Sequence, residues 1–225
     1  IVCGFTAYPR TVDFQKFRAI ADSVGARLMA DVSHIAGLIV GGAHPSPFPY
    51  ADIVTFTTHK TLRGPRGAVI IARTDMIDSI NKALFPGMQG GPHLHSIAGI
   101  GIALEEAMTS AFKKYAKQVV KNANVLAKEL IKLGHTVTSG GTDNHLMLVD
   151  LRPLGITGTD AAVLLEKHGI VCNKNSIPHD PAKPWKPNGI RLGTPAATTR
   201  GMKEKDMIKL ARKIDEVLKK AQIKK

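Results

Sequence analysis

"ADIVTFTTHKTLRGPRGAVIIA", residues 51–72, decides how the chain is read. Residues 51–58, rich in β-branched and aromatic side chains, predict a strand. "GPRG" predicts the turn after it, and "AVIIA" a further strand. The first strand delivers His59 and Lys60 at its end. Burying an ammonium without a partner is costly, so a lysine there either reaches solvent or is used. Thr57, Thr58 and His59 beside it, with Arg63 and Arg66 on a glycine- and proline-bound turn, form a concentration that suits an anionic ligand.

Upstream, Phe14, Phe17, Ile20, Ala21 and Val24 recur at helical spacing, Gly25 stops that helix, and "ARLMADV" (26–32) reads as a buried strand ending near Asp31. "GLIVGGAHPSPFPY" (37–50) reads as a loop. Helix, strand, loop and strand make an α/β pattern, in which ligands gather beyond the carboxyl ends of the strands. Asp31 and Lys60 both fall there. "TDMIDSINKAL" (74–84) predicts a short helix, and "PGMQGGPHLH" (86–95) a glycine-rich loop leading into helices over 96–108 and 112–133.

The break at Thr109 and Ser110 divides the chain into domains 1–109 and 110–225. In the second, "HTVT" (135–138) and "HLMLVDL" (145–151) predict strands around "SGGTDN". A helix over 159–168 with Thr159 as N-cap and Gly169 at its end follows, then strand "IVC" (170–172), a proline-rich loop, strand "IRLG" (190–193) and a basic C-terminal helix. This half reads as a small α+β domain.

With 225 residues and 44% hydrophobic content the chain can bury a core. No apolar window reaches the roughly 18 residues of a membrane span, and no signal-peptide pattern opens the chain, so a soluble cytoplasmic location is expected. Cys3 and Cys172 lack CxxC spacing and read as buried free thiols. The first residue is not methionine and lies in a strand-like run, which suggests a piece of a longer protein. A net charge of +13 raises nucleic acid as a partner. The lysines, however, sit mostly on amphipathic helical stretches (113–132 and 200–225) without aromatic interleaving, which favours a solvated face. His93 and His95 have no carboxylate or cysteine at useful spacing, so no metal site is assigned.

A strand-end aspartate often only caps a loop. Paired with a lysine on the next strand, Asp31 suggests a carboxylate facing a protonated ring nitrogen, the arrangement that pyridoxal 5'-phosphate requires. His34, three residues on, either touches such a cofactor or packs.

Six blocks now carry a resemblance: "YPRTVDFQKFRAIAD", "DVSHIAGL", "HPSPFPYADIVTFTTHKTLRGPRG", "FPGMQGGP", "DLRPLGITGTDAAVLLEKHGI" and "GIRLGTPAATTRG". In this order they resemble the serine hydroxymethyltransferase family across essentially the whole chain. The resemblance implies the C-terminal part of a pyridoxal-phosphate transferase of the aspartate-aminotransferase fold type (fold type I), followed by the small domain. It also implies interconversion of serine and glycine, with tetrahydrofolate as co-substrate, in a homodimer or dimer of dimers.

By position in the motifs, Lys60 matches the Schiff-base lysine and Asp31 the partner of the pyridine nitrogen. His34 and Thr6 match residues near the ring oxygen, Thr6 standing where serine is usual. Gly90 and Gly91 match the loop that reaches the neighbouring subunit's cofactor phosphate. Arg191 matches the substrate-carboxylate arginine and Asn175 a pteridine contact, while His59, Thr57 and Arg66 match residues lining the reacting centre. Ala68 replaces a usual glycine. Family members being about twice as long, the resemblance further implies that acid-base and aromatic groups upstream are missing and that the chain alone is inactive. A threonine aldolase-like lyase would also need Lys60, Asp31 and Arg191, and folate dependence separates the two. A basic nucleic-acid-binding protein is the alternative from another class.

Overall fold

The structure is a computed structural model and describes residues 1–223. The described residues form two compact units, one of residues 1–6 and 11–116, the other of residues 7–10 and those from 117 on.

The first unit is α/β. It holds β1 (Val2–Cys3), α1 (Phe14–Ser23), β2 (Met29–Asp31), α2 (Ala36–Val40), β3 (Ile53–Thr57) and β4 (Ala68–Ala72). The sheet order is β1-β2-β3-β4; the first two pairings are parallel and the last is antiparallel. The sheet is therefore mixed. Asp13 caps α1 by accepting the Lys16 N–H, and Gly25 ends the turn at φ +62°. Phe14 and Ala21 then face inward with Leu28, Ala30 and Val54, all nearly inaccessible to solvent.

The stretch read as a loop from Gly37 contains the short helix α2. Gly37 donates its N–H to the Thr61 hydroxyl, and a Cβ on it would collide with the Thr61 carbonyl. A tertiary contact with the Lys60 loop therefore holds this turn, which local propensity does not announce. The helix expected over 74–84 is divided into a 3-10 turn (Thr74–Met76), α3 (Ile77–Lys82) and a π turn (Ala83–Met88) in which Phe85 leaves helical geometry next to Pro86. Helix α4 (Leu94–Ala107) begins within the predicted loop, and α5 (Ser110–Lys132) carries Phe112 against Leu62 and Ala107.

The second unit has an antiparallel sheet of order β5-β6-β8-β7, made by β5 (Thr136–Val137), β6 (Leu146–Asp150), β7 (Asn173–Asn175) and β8 (Gly189–Gly193). Helices α6 (Gly158–Lys167), α7 (Pro195–Thr199) and α8 (Glu204–Ile223) complete it. Its core joins Leu126 and Leu130 of α5 with Met147, Val149, Leu165, Ile190, Met207 and Ile214.

Two local readings are corrected here. The N-cap of α6 is Thr157, whose hydroxyl accepts the Asp160 N–H, rather than Thr159. "IVC" is not a strand. Gly169, at φ +77°, and Ile170 fold back to donate to Glu166 and Leu165 carbonyls, closing α6, and Ile170 enters the core. Ile170 is apolar because it is buried there and Cys172 packs beside it, while Val171 is exposed and the polar Asn173–Asn175 forms the ladder with β8.

Candidate active site

Because β1, β2 and β3 run parallel, their carboxyl ends share one edge of the sheet. Thr6, Asp31, His34, Thr57, His59 and Lys60 all stand at or just beyond those ends. Asp31 lies opposite Thr55 in register, and the Thr55 hydroxyl donates to Asp31 Oδ2 at 2.8 Å. Ser33 N–H donates to Oδ1 at 3.0 Å, and the Thr57 N–H donates in turn to the Ser33 hydroxyl at 3.1 Å. Burial pushes the Asp31 carboxyl up, but the hydrogen bonds from Ser33 and Thr55, together with the Lys60 charge, outweigh it and hold Asp31 below its ordinary value. The result is a half-buried carboxylate held as an anion.

Lys60 follows the end of β3 and donates from Nζ to the Thr57 hydroxyl at 3.0 Å. Its loop is built tightly. Buried Thr58 donates its N–H to the Gly67 carbonyl at 3.0 Å and its hydroxyl to the Pro65 carbonyl at 2.6 Å; its own carbonyl accepts the Gly64 N–H at 2.7 Å. Thr58 thus braces the loop instead of offering a hydroxyl to a ligand. Arg63 turns the chain at φ +67°, a conformation unfavourable to a side chain, and lays its guanidinium 4.7 Å from the Tyr115 ring centre. The Thr61 hydroxyl donates to the His34 carbonyl at 3.0 Å while accepting from Gly37, which ties the loop to α2. Leu62, 1% exposed, anchors it below.

His59 Nε2 lies 3.3 Å from an Arg66 nitrogen. Its Nδ1 is buried and has no hydrogen-bond partner among the described residues. An orphaned ring nitrogen next to Lys60, near an anion one strand away, fits an aromatic ligand carrying a carbonyl and a protonated ring nitrogen. The set of Lys60, Asp31, His59 and Thr57 fits pyridoxal phosphate on that ground.

The remaining predicted residues stand elsewhere. Gly90 and Gly91 occupy an exposed loop before α4, with nothing within 4 Å of an added Cβ. Arg191 and Asn175 belong to the second unit. Arg191 lies mid-strand in β8 and donates to Asn173 Oδ1 at 3.1 Å; burial pulls its guanidinium below the ordinary arginine value. Asn175, at the end of β7, donates to the Ser176 carbonyl at 2.7 Å. Sequence reasoning missed Thr55 and Ser33. Polar residues 55 and 57 flanking Phe56 mark one face of β3, and "DVS" carries an aspartate-led turn, so both signals were available.

The serine hydroxymethyltransferase family model matches residues 1–214. The chain belongs to the serine hydroxymethyltransferase family. Curated relatives agree with the assignment. A protein named serine hydroxymethyltransferase from Myxococcus xanthus (strain DK1622) is 57% identical over 222 residues, covering 99% of this chain and 53% of that protein. Another of that name, from Methanosarcina barkeri (strain Fusaro / DSM 804), is 59% identical over 208 residues, covering 92% of this chain and 50% of the relative. The chain spans about half the length of the curated relatives it matches. Among the described residues, no helix of this family member is long and apolar enough to cross a membrane.

Proposed function

We propose that the chain supplies the cofactor lysine and the substrate-carboxylate arginine of a serine hydroxymethyltransferase, converting serine and tetrahydrofolate reversibly to glycine and methylenetetrahydrofolate. The observation that carries this is Lys60 and Asp31 on one edge of adjacent parallel strands, with Asp31 held ionised. Pyridoxal phosphate, when bound, supplies an electron-accepting ring that stabilises negative charge at the substrate α-carbon. Asp31 would keep a proton on the ring nitrogen, and the hydrogen bonds from Thr55 and Ser33 hold the carboxylate that would do so. Lys60 provides the amine that holds the cofactor, and Thr57 positions that amine by accepting from it. His59 and Arg66 lie together beside Lys60, and Thr6 and His34 would hold the ring oxygen.

Arg191 grips the substrate carboxylate, since a planar guanidinium forms two parallel hydrogen bonds to it. Asn175 contacts the folate. In this reading residues 1–109 are the C-terminal part of the large domain of a fold type I enzyme and residues 110–225 its small domain. The working enzyme is a homodimer or dimer of dimers, with Gly90 and Gly91 offering backbone N–H groups to the neighbouring subunit's cofactor phosphate.

The test is chemical trapping on the chain itself. After incubation with pyridoxal phosphate and reduction with borohydride, peptide mapping should find the phosphopyridoxyl mass concentrated on Lys60 and lost in Lys60→Arg. Equal labelling of Lys60 and the exposed helix lysines would sink the assignment.

A further inference from the structure

The second unit contains a cavity of about 460 Å³ that the proposed reaction does not use. Its origin is visible in the sequence. Asp206, Lys209, Leu210, Lys213 and Ile214 recur on one face of α8, which places two apolar side chains toward the cavity with charged ones beside them. The facing wall is made of small residues, namely Gly169, Gly193, Ala196 and Ala197, where α6 ends and β8 passes into α7. Side chains that contribute no carbon or one leave room. Buried Leu126, Leu192 and Ile214 add apolar lining, and Val171, 82% exposed, marks its connection with solvent.

The cavity is separate from the substrate arginine. Successive residues of a strand point to opposite faces, so Leu192 and Arg191 face opposite sides of the β8 sheet. The cavity borders the face that α5 and α8 cover.

Its charge is one-sided. Arg200, Lys209 and Lys213 line it, against the single carboxylate of Asp206. Asp206 Oδ2 already accepts the Lys203 N–H at the start of α8. None of the three cations takes part in a salt bridge among the described residues, whereas Lys219 and Lys220 on the same helix pair with Asp215 and Glu216. An apolar interior bordered by cations that make no salt bridge among the described residues is complementary to a molecule with an apolar body and an anionic head.

We propose that this cavity binds a single-chain amphiphilic carboxylate of about ten carbons, a size its volume accommodates. The chain lies between Leu192 and the Leu210/Ile214 face, and the head meets Lys209, Lys213 and Arg200. This inference is independent of the role given to Lys60.

Decanoate is the probe, titrated into the isotope-labelled 225-residue chain and followed by amide resonances. Shifts should centre on Val171, Gly193, Ala197 and Leu210. Octanoate, two methylenes shorter, should bind about fifteenfold more weakly, since each buried methylene is worth about fourfold. Decanol and acetate, each lacking one half of the ligand, should bind at least tenfold more weakly than decanoate. Lys209→Glu combined with Lys213→Glu should weaken decanoate at least tenfold, and Ala196→Trp should abolish its binding by filling the space. Decanol binding as tightly as decanoate, shifts centred elsewhere, or unchanged affinity in the charge variant would each overturn the proposal. The two lysines are exposed, so the charge variant is informative even where the tryptophan does not fold.

Discussion

Replacing Thr55 by valine removes one hydroxyl and little else. Valine has nearly the same shape and the β-branching that suits a strand, so β3 should keep its register with β2. What disappears is a 2.8 Å hydrogen bond to Asp31 Oδ2. Hydrogen bonds to charged groups contribute about 1.5–3 kcal/mol, and Asp31 is only partly buried, so the lower end applies. Without that hydrogen bond to its charged form, the Asp31 carboxyl should move up toward its ordinary value. Ser33 and the Lys60 charge still act on it, so it remains an anion at neutral pH.

The sign of the linked stability change follows. Asp31 has a folded pKa below its unfolded value, so its contribution is present above the unfolded value and is lost as pH falls through the folded one. Thr55→Val should therefore be less stable than the parent by about 1.5 kcal/mol at pH 7, and the gap should close below both pKa values. Carboxyl-carbon resonances of labelled aspartate give the Asp31 titration directly, and urea unfolding at several pH values gives the gap. Thr55→Ser keeps the hydroxyl and should restore both. An Asp31 titration in Thr55→Val coinciding with that of the parent would refute the idea that Thr55 holds the carboxylate.

Two further predictions concern other parts of the molecule. His135 is buried with Nε2 2.9 Å from Asp215, and Lys219 binds the same carboxylate oxygen. Burial lowers the histidine's pKa more than Asp215 raises it. The unfolded chain then binds more protons, and stability should rise with pH through the window that ends just above the ordinary histidine value; a urea midpoint rising as sharply in His135→Gln would refute this. Gly37→Ala should displace the Lys60 loop, because the new methyl meets the Thr61 carbonyl. Borohydride trapping at Lys60 should fall several-fold while the circular dichroism spectrum is kept, and trapping equal to the parent's would count against a braced loop.

How legible the molecule was depended on how local each signal is. The strand carrying "ADIVTFTT" and the helix capped at Asp13 follow from patterns a few residues long, and the structure has both. Lys60 and Asp31 could be singled out because ionisable groups at strand ends are conspicuous against apolar neighbours. What could not be read were features set by a partner distant in sequence. α2 exists because Gly37 meets Thr61, and Ile170 of the "IVC" run is apolar because it closes α6 and enters the core, which no strand period can distinguish from pairing. Thr58 likewise reads as a ligand-facing hydroxyl in the sequence, whereas in the structure it donates its hydrogen bond to the Pro65 carbonyl.

These misses share a physical origin with the site itself. Lys60 stands on a loop whose neighbours are committed elsewhere: Thr58 to Pro65, Thr61 to His34 and α2, Arg63 to Tyr115. In the proposed function, that leaves Thr57, His59 and Arg66 to face what Lys60 would bind. A loop tethered at so many points loses little conformational entropy when a ligand arrives, because the ordering was completed on folding. The left-handed Arg63 opposes that ordering by about 1–2 kcal/mol, and the buried Leu62 beside it, whose truncation would cost about 2–5 kcal/mol, outweighs the strain. The rigidity that positions the amine therefore comes from side chains that never touch the ligand. Substitutions at Thr58, Thr61 or Gly37 should accordingly weaken cofactor attachment, although none of these residues is placed to take part in the chemistry.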